Sequence, residues 1–174
     1  MLLVRCLPIA TMLASTAIAE ELTVFLEDNS GARIEVAKID LDDAGGYTID
    51  LSDGVFTDHF LSMRPFKCLE GPDKHWCHVP YPYEIAREVE ADLTDLEYDF
   101  MFVWKGAAEY GINMWNGVYY VLRKEGDALV GVMHEMDMDQ LSAPPTQGEL
   151  RPIGLADLHK AAPDSHWLPR MLIE

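Results

Sequence analysis

The chain is poor in positive charge. Its 174 residues carry 13 Lys+Arg against 30 Asp+Glu, a net of −17. Such a surface repels phosphate backbones and anionic headgroups, which argues against nucleic-acid binding and against a membrane-surface role. Cysteine is scarce as well, with three in all, and none are spaced Cys-x-x-Cys. Dithiol redox sites and covalent haem attachment use that spacing, so neither is expected. No stretch after residue 19 is long and apolar enough to span a bilayer. There is no P-loop, no Gly-x-Ser-x-Gly and no dinucleotide fingerprint. His134-Glu135-Met136-Asp137-Met138 misses the zinc-protease pattern, because methionine stands at its last position.

What is present begins with MLLVRCLPIATMLASTAIA, residues 1–19. One cation, an apolar stretch and the small-x-small end Ala17-Ile18-Ala19 predict a secretory signal. Its removal leaves residues 20–174 as a single β-rich domain with a less regular segment over 141–174. The expected location is periplasmic or secreted, with no membrane insertion after the signal is removed. The mature chain keeps Cys68 and Cys77. An even pair in an exported chain predicts a disulfide, here stapling an irregular loop over 64–82. Cys68, His75, Cys77 and His78 are also four residues of zinc-ligating type, but Cys-x8-Cys is poor spacing for a knuckle.

Short strands separated by turn residues dominate the first half: 22–27, 32–40, 47–51 and 56–63. After Pro82, the recurrence of Ile85, Val89 and Leu93 every four residues predicts one short amphipathic helix. Residues 97–105 alternate, with Tyr98, Phe100, Phe102 and Trp104 on one face of an expected strand. Residues 117–125 and 128–137 flank Gly126-Asp127, a two-residue hairpin turn with glycine first. The tail after Gln140 shows no strong pattern apart from one helical turn over 155–160. The fold class is therefore mainly β, an antiparallel sheet closed as a lipocalin-like barrel, with a β-sandwich as the alternative.

Three groups of residues carry candidate chemistry. Phe102, Trp104, Tyr120 and His134 are expected to line a barrel interior that fills itself or admits an unknown small molecule. His134, Met136 and Met138 share a strand face and are soft ligands suited to Cu(I). The His-x-Met step resembles half of the motif of periplasmic copper chaperones, which implies copper as the alternative to no cofactor at all. Met101 and Met114 lie upstream, without that family's ligand spacing. Asp58-His59 with Ser62, or the His75/His78 region, could serve a hydrolase, although on a strand His59 and Ser62 face opposite ways. Finally, HFLSMRPFKCLEG and HWCHVPYPYE resemble uncharacterised exported bacterial proteins, a resemblance that carries no activity. The expectation is a non-catalytic binding or accessory protein whose partner is an unknown small molecule or protein.

Overall fold

The computed structural model describes residues 20–62, 64–89 and 92–174. The expected signal lies outside the described residues. Among the described residues, eleven strands and one α-helix follow in chain order. They are β1 (Glu20–Glu27), β2 (Arg33–Leu41), β3 (Tyr47–Leu51), β4 (Thr57–Phe60), β5 (Pro65–Glu70), β6 (Lys74–His78), α1 (Thr94–Asp99), β7 (Phe102–Gly106), β8 (Gly117–Glu125), β9 (Ala128–Met136), β10 (His159–Lys160) and β11 (Arg170–Ile173).

All the strands join one antiparallel sheet, in the order β3-β2-β1-β11-β9-β8-β7-β6-β5-β4, with β10 added to β9 beside β11. A single sheet replaces the sandwich alternative. β3 and β4 are its two ends and do not pair with each other, so the sheet is an open, curled half-barrel rather than a closed lipocalin-like one. Curling is evident in the core. Val24, Ala37 and Ile39 from one half of the sheet share a cluster with Trp76, Phe102 and Tyr120 from the other. Only a concave face can bring those strands together. The opposite face is covered too: Cys68, Cys77, Val103, Tyr119 and Met136 pack beneath Val79, Tyr81, Met138, Leu141 and Ile153. Residues 141–158 therefore help to cover the second face, while Ala161, Leu168, Met171 and Ile173 join the first cluster.

Hydrophobic alternation located most strands, and the hairpin with Gly126-Asp127 at its turn closes with Glu125 opposite Ala128. Four expectations change. No helix follows Pro82, because Ile85 packs into the second core while Val89 and Leu93 pack into the first. Arg87 stands between them at φ 55°, a left-handed value that ends any helix. The helix instead spans Thr94–Asp99, started by Asp92 Oδ1, which accepts from Thr94 N at 2.9 Å. The strand predicted over 97–105 consequently begins at Phe102. The stapled loop is in fact a hairpin of β5 and β6, with Cys68 and Cys77 directly opposite each other and joined at 2.03 Å. Lastly, the patternless tail ends in β11, which fills the space between β1 and β9.

The disulfide closes a loop of about ten residues, for which chain entropy gives about 2.7 kcal/mol. Replacing both cysteines by serine is expected to lower the unfolding free energy by about that amount, with a somewhat larger m-value because the unfolded chain is no longer cross-linked. A loss under about 0.5 kcal/mol, the range of ordinary surface changes, would mean that the hairpin holds its register without the bridge.

Candidate functional site: the mouth of the half-barrel

The open side of the half-barrel forms a cleft of about 410 Å³. Ile49 and Leu51 of β3 form one wall, and Pro65, Phe66 and Lys67 of β5 form another, with Arg64 beside them. His78, Pro80, Arg87 and Asp99 complete the lining. Three of the chain's 13 Lys+Arg thus meet at one opening, in a protein whose net charge is −17.

Helix α1 builds the base of this site. Its sequence, Thr94-Asp-Leu-Glu-Tyr-Asp99, buries three acids. Asp95 accepts from Arg151 Nε at 2.6 Å and from the Arg87 backbone N at 2.7 Å. Glu97 accepts from Tyr119 Oη and from Leu122 N, each at 2.6 Å. β7 pairs with β8 only at its start, through Phe102–Val118 and Val103–Gly117. The Glu97 carboxylate therefore satisfies a β8 amide that β7 does not reach. Burial raises the Glu97 pKa above the ordinary carboxylate range, and the two donated hydrogen bonds oppose that rise.

Asp99 is the hub nearest the cleft. It accepts two bonds from the Arg87 guanidinium, at 2.9 and 3.0 Å, and one from Tyr47 Oη at 2.9 Å. Each of the three carboxylates thus accepts two or three hydrogen bonds from the surrounding chain, which suits an anchor. Arg87 has five N–H groups, and Asp99 takes two of them. The remainder, on a half-exposed side chain, are available at the cleft.

His78 supplies a different function. Its Nε2 lies 2.8 Å from the Asp99 carbonyl O. A carbonyl can only accept, so Nε2 carries the proton and Nδ1 holds a lone pair. Burial depresses the His78 pKa, so the ring is neutral near pH 7. It packs against Phe102, centroids 5.5 Å apart, and so lies at the floor where the cleft meets the core. Among the described lining residues there is no hydroxyl or thiol for this histidine to activate; the other polar groups there are Arg64, Lys67, Arg87 and Asp99.

No protein-family model, curated protein or solved structure matches this chain. The site must accordingly be read from its own chemistry.

The residues singled out from sequence fall in several places. Phe102 and Tyr120 are fully buried, with rings 6.5 Å apart, and both touch Trp76. Trp104 is half-buried and reaches the same group through His166, which lies 5.5 Å from it and 6.0 Å from Trp76. His134 stands apart from them. It lies half-buried on β9 opposite Tyr119, with Nδ1 donating to Val132 O at 2.9 Å. Met136 and Met138 are buried together in the second core, but Met138 has left the strand for a 3-10 turn over Met138–Leu141. The shared strand face therefore ends at Met136. Cys68 and Cys77 are bonded to each other and so are not zinc ligands. Among the described residues, no three His, Cys, Asp or Glu side chains gather as a metal site. His59 pairs with Glu70 at 2.8 Å and lies 5.2 Å from the His75 ring.

Arg64, Lys67, Arg87, Asp99 and the β3 residues carry no recognisable motif. Two signals could have pointed to them. One is the dense run of acids among apolar residues at 94–99, which demands cations nearby. The other is the pairing of scarce cations around Phe66.

Proposed function

We propose that the protein is an exported, non-catalytic binding protein that holds an anionic ligand with an apolar portion in the mouth of its half-barrel. The observation that supports this reading is the convergence of Arg64, Lys67 and Arg87 on one cleft of an acidic chain. Ile49, Leu51, Pro65 and Phe66 offer apolar walls. The Nδ1 of His78 is suited to accept from a ligand O–H or N–H. A few convergent polar groups on largely apolar walls are the usual make-up of a ligand site, and about 410 Å³ lies within the usual size range.

The test uses thermal denaturation with succinate and with its uncharged diamide, succinamide. Succinate is expected to raise Tm in a concentration-dependent way, because any ligand of the folded state alone stabilises it. Succinamide is expected to do much less, and added salt should weaken the succinate effect. The double variant Arg64→Glu/Lys67→Glu should abolish it. Equal shifts in the variant and the parent protein would remove the cleft as the ligand site.

A further inference from the structure

The ligand class can be narrowed by the backbone of β3. Successive residues of a strand direct their N–H and C=O groups to alternate sides. Ser52 N donates to Val36 O on β2, at 2.9 Å, whereas Tyr47 N donates to Arg87 O on the other side, at 3.0 Å. Residues 48, 50 and 52 therefore bond toward β2, and 47, 49 and 51 point away from it. Ile49 and Leu51 are the two β3 residues that line the cleft. Their outward backbone groups form an edge of strand at the site.

The chain itself begins to cover this edge and then stops. Gly46 and Glu88 form an antiparallel bridge, and Val89 N donates to Gly45 O at 2.9 Å. Continued one pair further, the same segment would place residue 85 opposite Ile49. Instead Arg87 adopts φ 55°, and the preceding chain departs, so that Ile85 packs in the second core. Among the described residues Arg87 alone, apart from glycines, has positive φ. A non-glycine residue held there is strained and persists only where its surroundings impose it. The surroundings here are Asp95 Oδ2 on its backbone N and Asp99 on its guanidinium. The same turn that vacates the edge sets the side chain of Arg87 at the end of the vacancy.

Direction follows from the pairing. The residues 87–89 run antiparallel to β3, so a guest strand continuing that ladder passes Leu51 before Ile49. Its C-terminal end then meets Arg87. We propose that the cleft captures the free C-terminus of an extended peptide, added antiparallel to β3, with its terminal carboxylate on the Arg87 guanidinium. Main-chain bonds to Ile49 and Leu51 supply length-dependent affinity, and Arg64 favours acidic side chains near the terminus, helped by Lys67, whose ammonium also bridges Asp53 and Asp58, each at 3.2 Å. The proposal rests on the cleft being an anion site, as inferred above.

The test compares two pools of random hexapeptides, one with free C-termini and one amidated, by mass spectrometry of what co-elutes with the intact mature protein on size exclusion. The free-acid pool is expected to be retained at least about ten-fold more, a difference of about 1.4 kcal/mol. Ile49→Pro should remove that retention. It deletes an N–H that points away from β2, the position at which an edge strand tolerates proline. Arg64→Glu/Lys67→Glu should deplete acidic sequences from the retained set. Equal retention of both pools overturns carboxylate capture. If neither pool is retained while succinate still raises Tm, strand addition fails and the anion cleft stands. If neither peptide nor succinate acts, both readings fail. The pool comparison needs no variant, so a poorly folded Ile49→Pro protein would not rescue the proposal.

Discussion

Replacing Asp99 with alanine is expected to lower stability by about 3 kcal/mol and to abolish anion binding at the cleft. The stability loss has two parts. Tyr47 is buried, and its hydroxyl would lose its acceptor, at a cost of about 1–3 kcal/mol. Arg87 is 43% exposed, so water takes up part of the freed charge and the ion pair itself contributes nearer 1 kcal/mol. For a domain of this size each kcal/mol moves Tm by about 2–4 °C, so a fall of about 6–12 °C is expected. Asp99→Asn keeps an acceptor for Tyr47 but not the bidentate pair, and should cost about half as much. Chemical denaturation of both variants at pH 7 gives the comparison. The binding loss follows because a released Arg87 no longer holds its guanidinium at the end of the β3 edge. Normal stability in Asp99→Ala would show that the hub holds nothing together, and retained succinate binding would show that Arg87 needs no anchor.

The same hub shows why some of this architecture was legible from sequence and some was not. Strands with one solvated face announce themselves by alternation, as β2 does through Ile34 and Val36 between charged neighbours, before a bulge shifts the buried phase to Ala37 and Ile39. The β8–β9 hairpin announces itself by a glycine-first turn at positive φ. Cys68 and Cys77 were paired correctly by counting, yet the surrounding residues read as an irregular loop. β5 and β6 are covered on both faces, so polar alternation is lost and Trp76, Cys77 and His78 form a continuous buried run. Helix α1 misled for a related reason. Tyr98, Phe100 and Phe102 look like one strand face, but Tyr98 belongs to the second core while Phe100 and Phe102 belong to the first. Period-two spacing there records a chain crossing between two cores. The cleft was invisible because it gathers side chains from β3, β5, β6, the 80–87 segment and the end of α1, which no local pattern brings together. It also depends on a backbone angle at Arg87 that no residue pattern specifies. His78 was noticed, but as a metal or hydrolase residue. Its role depends on the Asp99 carbonyl, which fixes its tautomer.

That tautomer has a consequence for acid stability, the second large effect expected. His78 has a folded-state pKa below the ordinary 6.5, with desolvation as the main cause and its bond to Asp99 opposing it. A group depressed in this way contributes stability that is fully present above its unfolded pKa. That contribution is lost as pH falls toward the folded value, because the unfolded chain takes up a proton that the folded chain refuses. The window therefore opens near pH 6.5 and runs downward. A histidine that takes up its proton only on unfolding gives a slope of at most about 1.4 kcal/mol per pH unit below that point. His166 and His75 are also depressed, chiefly by burial, and act in the same direction. His166 is restrained by Glu135, 2.8 Å from its Nε2, and His75 is less enclosed, so each adds less. Glu97 has the opposite sign. Its raised pKa means the folded state binds that proton more tightly, so its contribution improves as pH falls toward the usual carboxylate value near 4.5. The expected profile is a decline that starts below pH 6.5 and flattens as Glu97 protonates. Urea midpoints at pH 7, 6 and 5 measure it. His78→Gln keeps an N–H for the Asp99 carbonyl but cannot be protonated, so its profile should be shallower by about one proton. Parallel profiles for the two proteins would mean that His78 takes up its proton alike in the folded and unfolded chains, and the depression by burial would go with it.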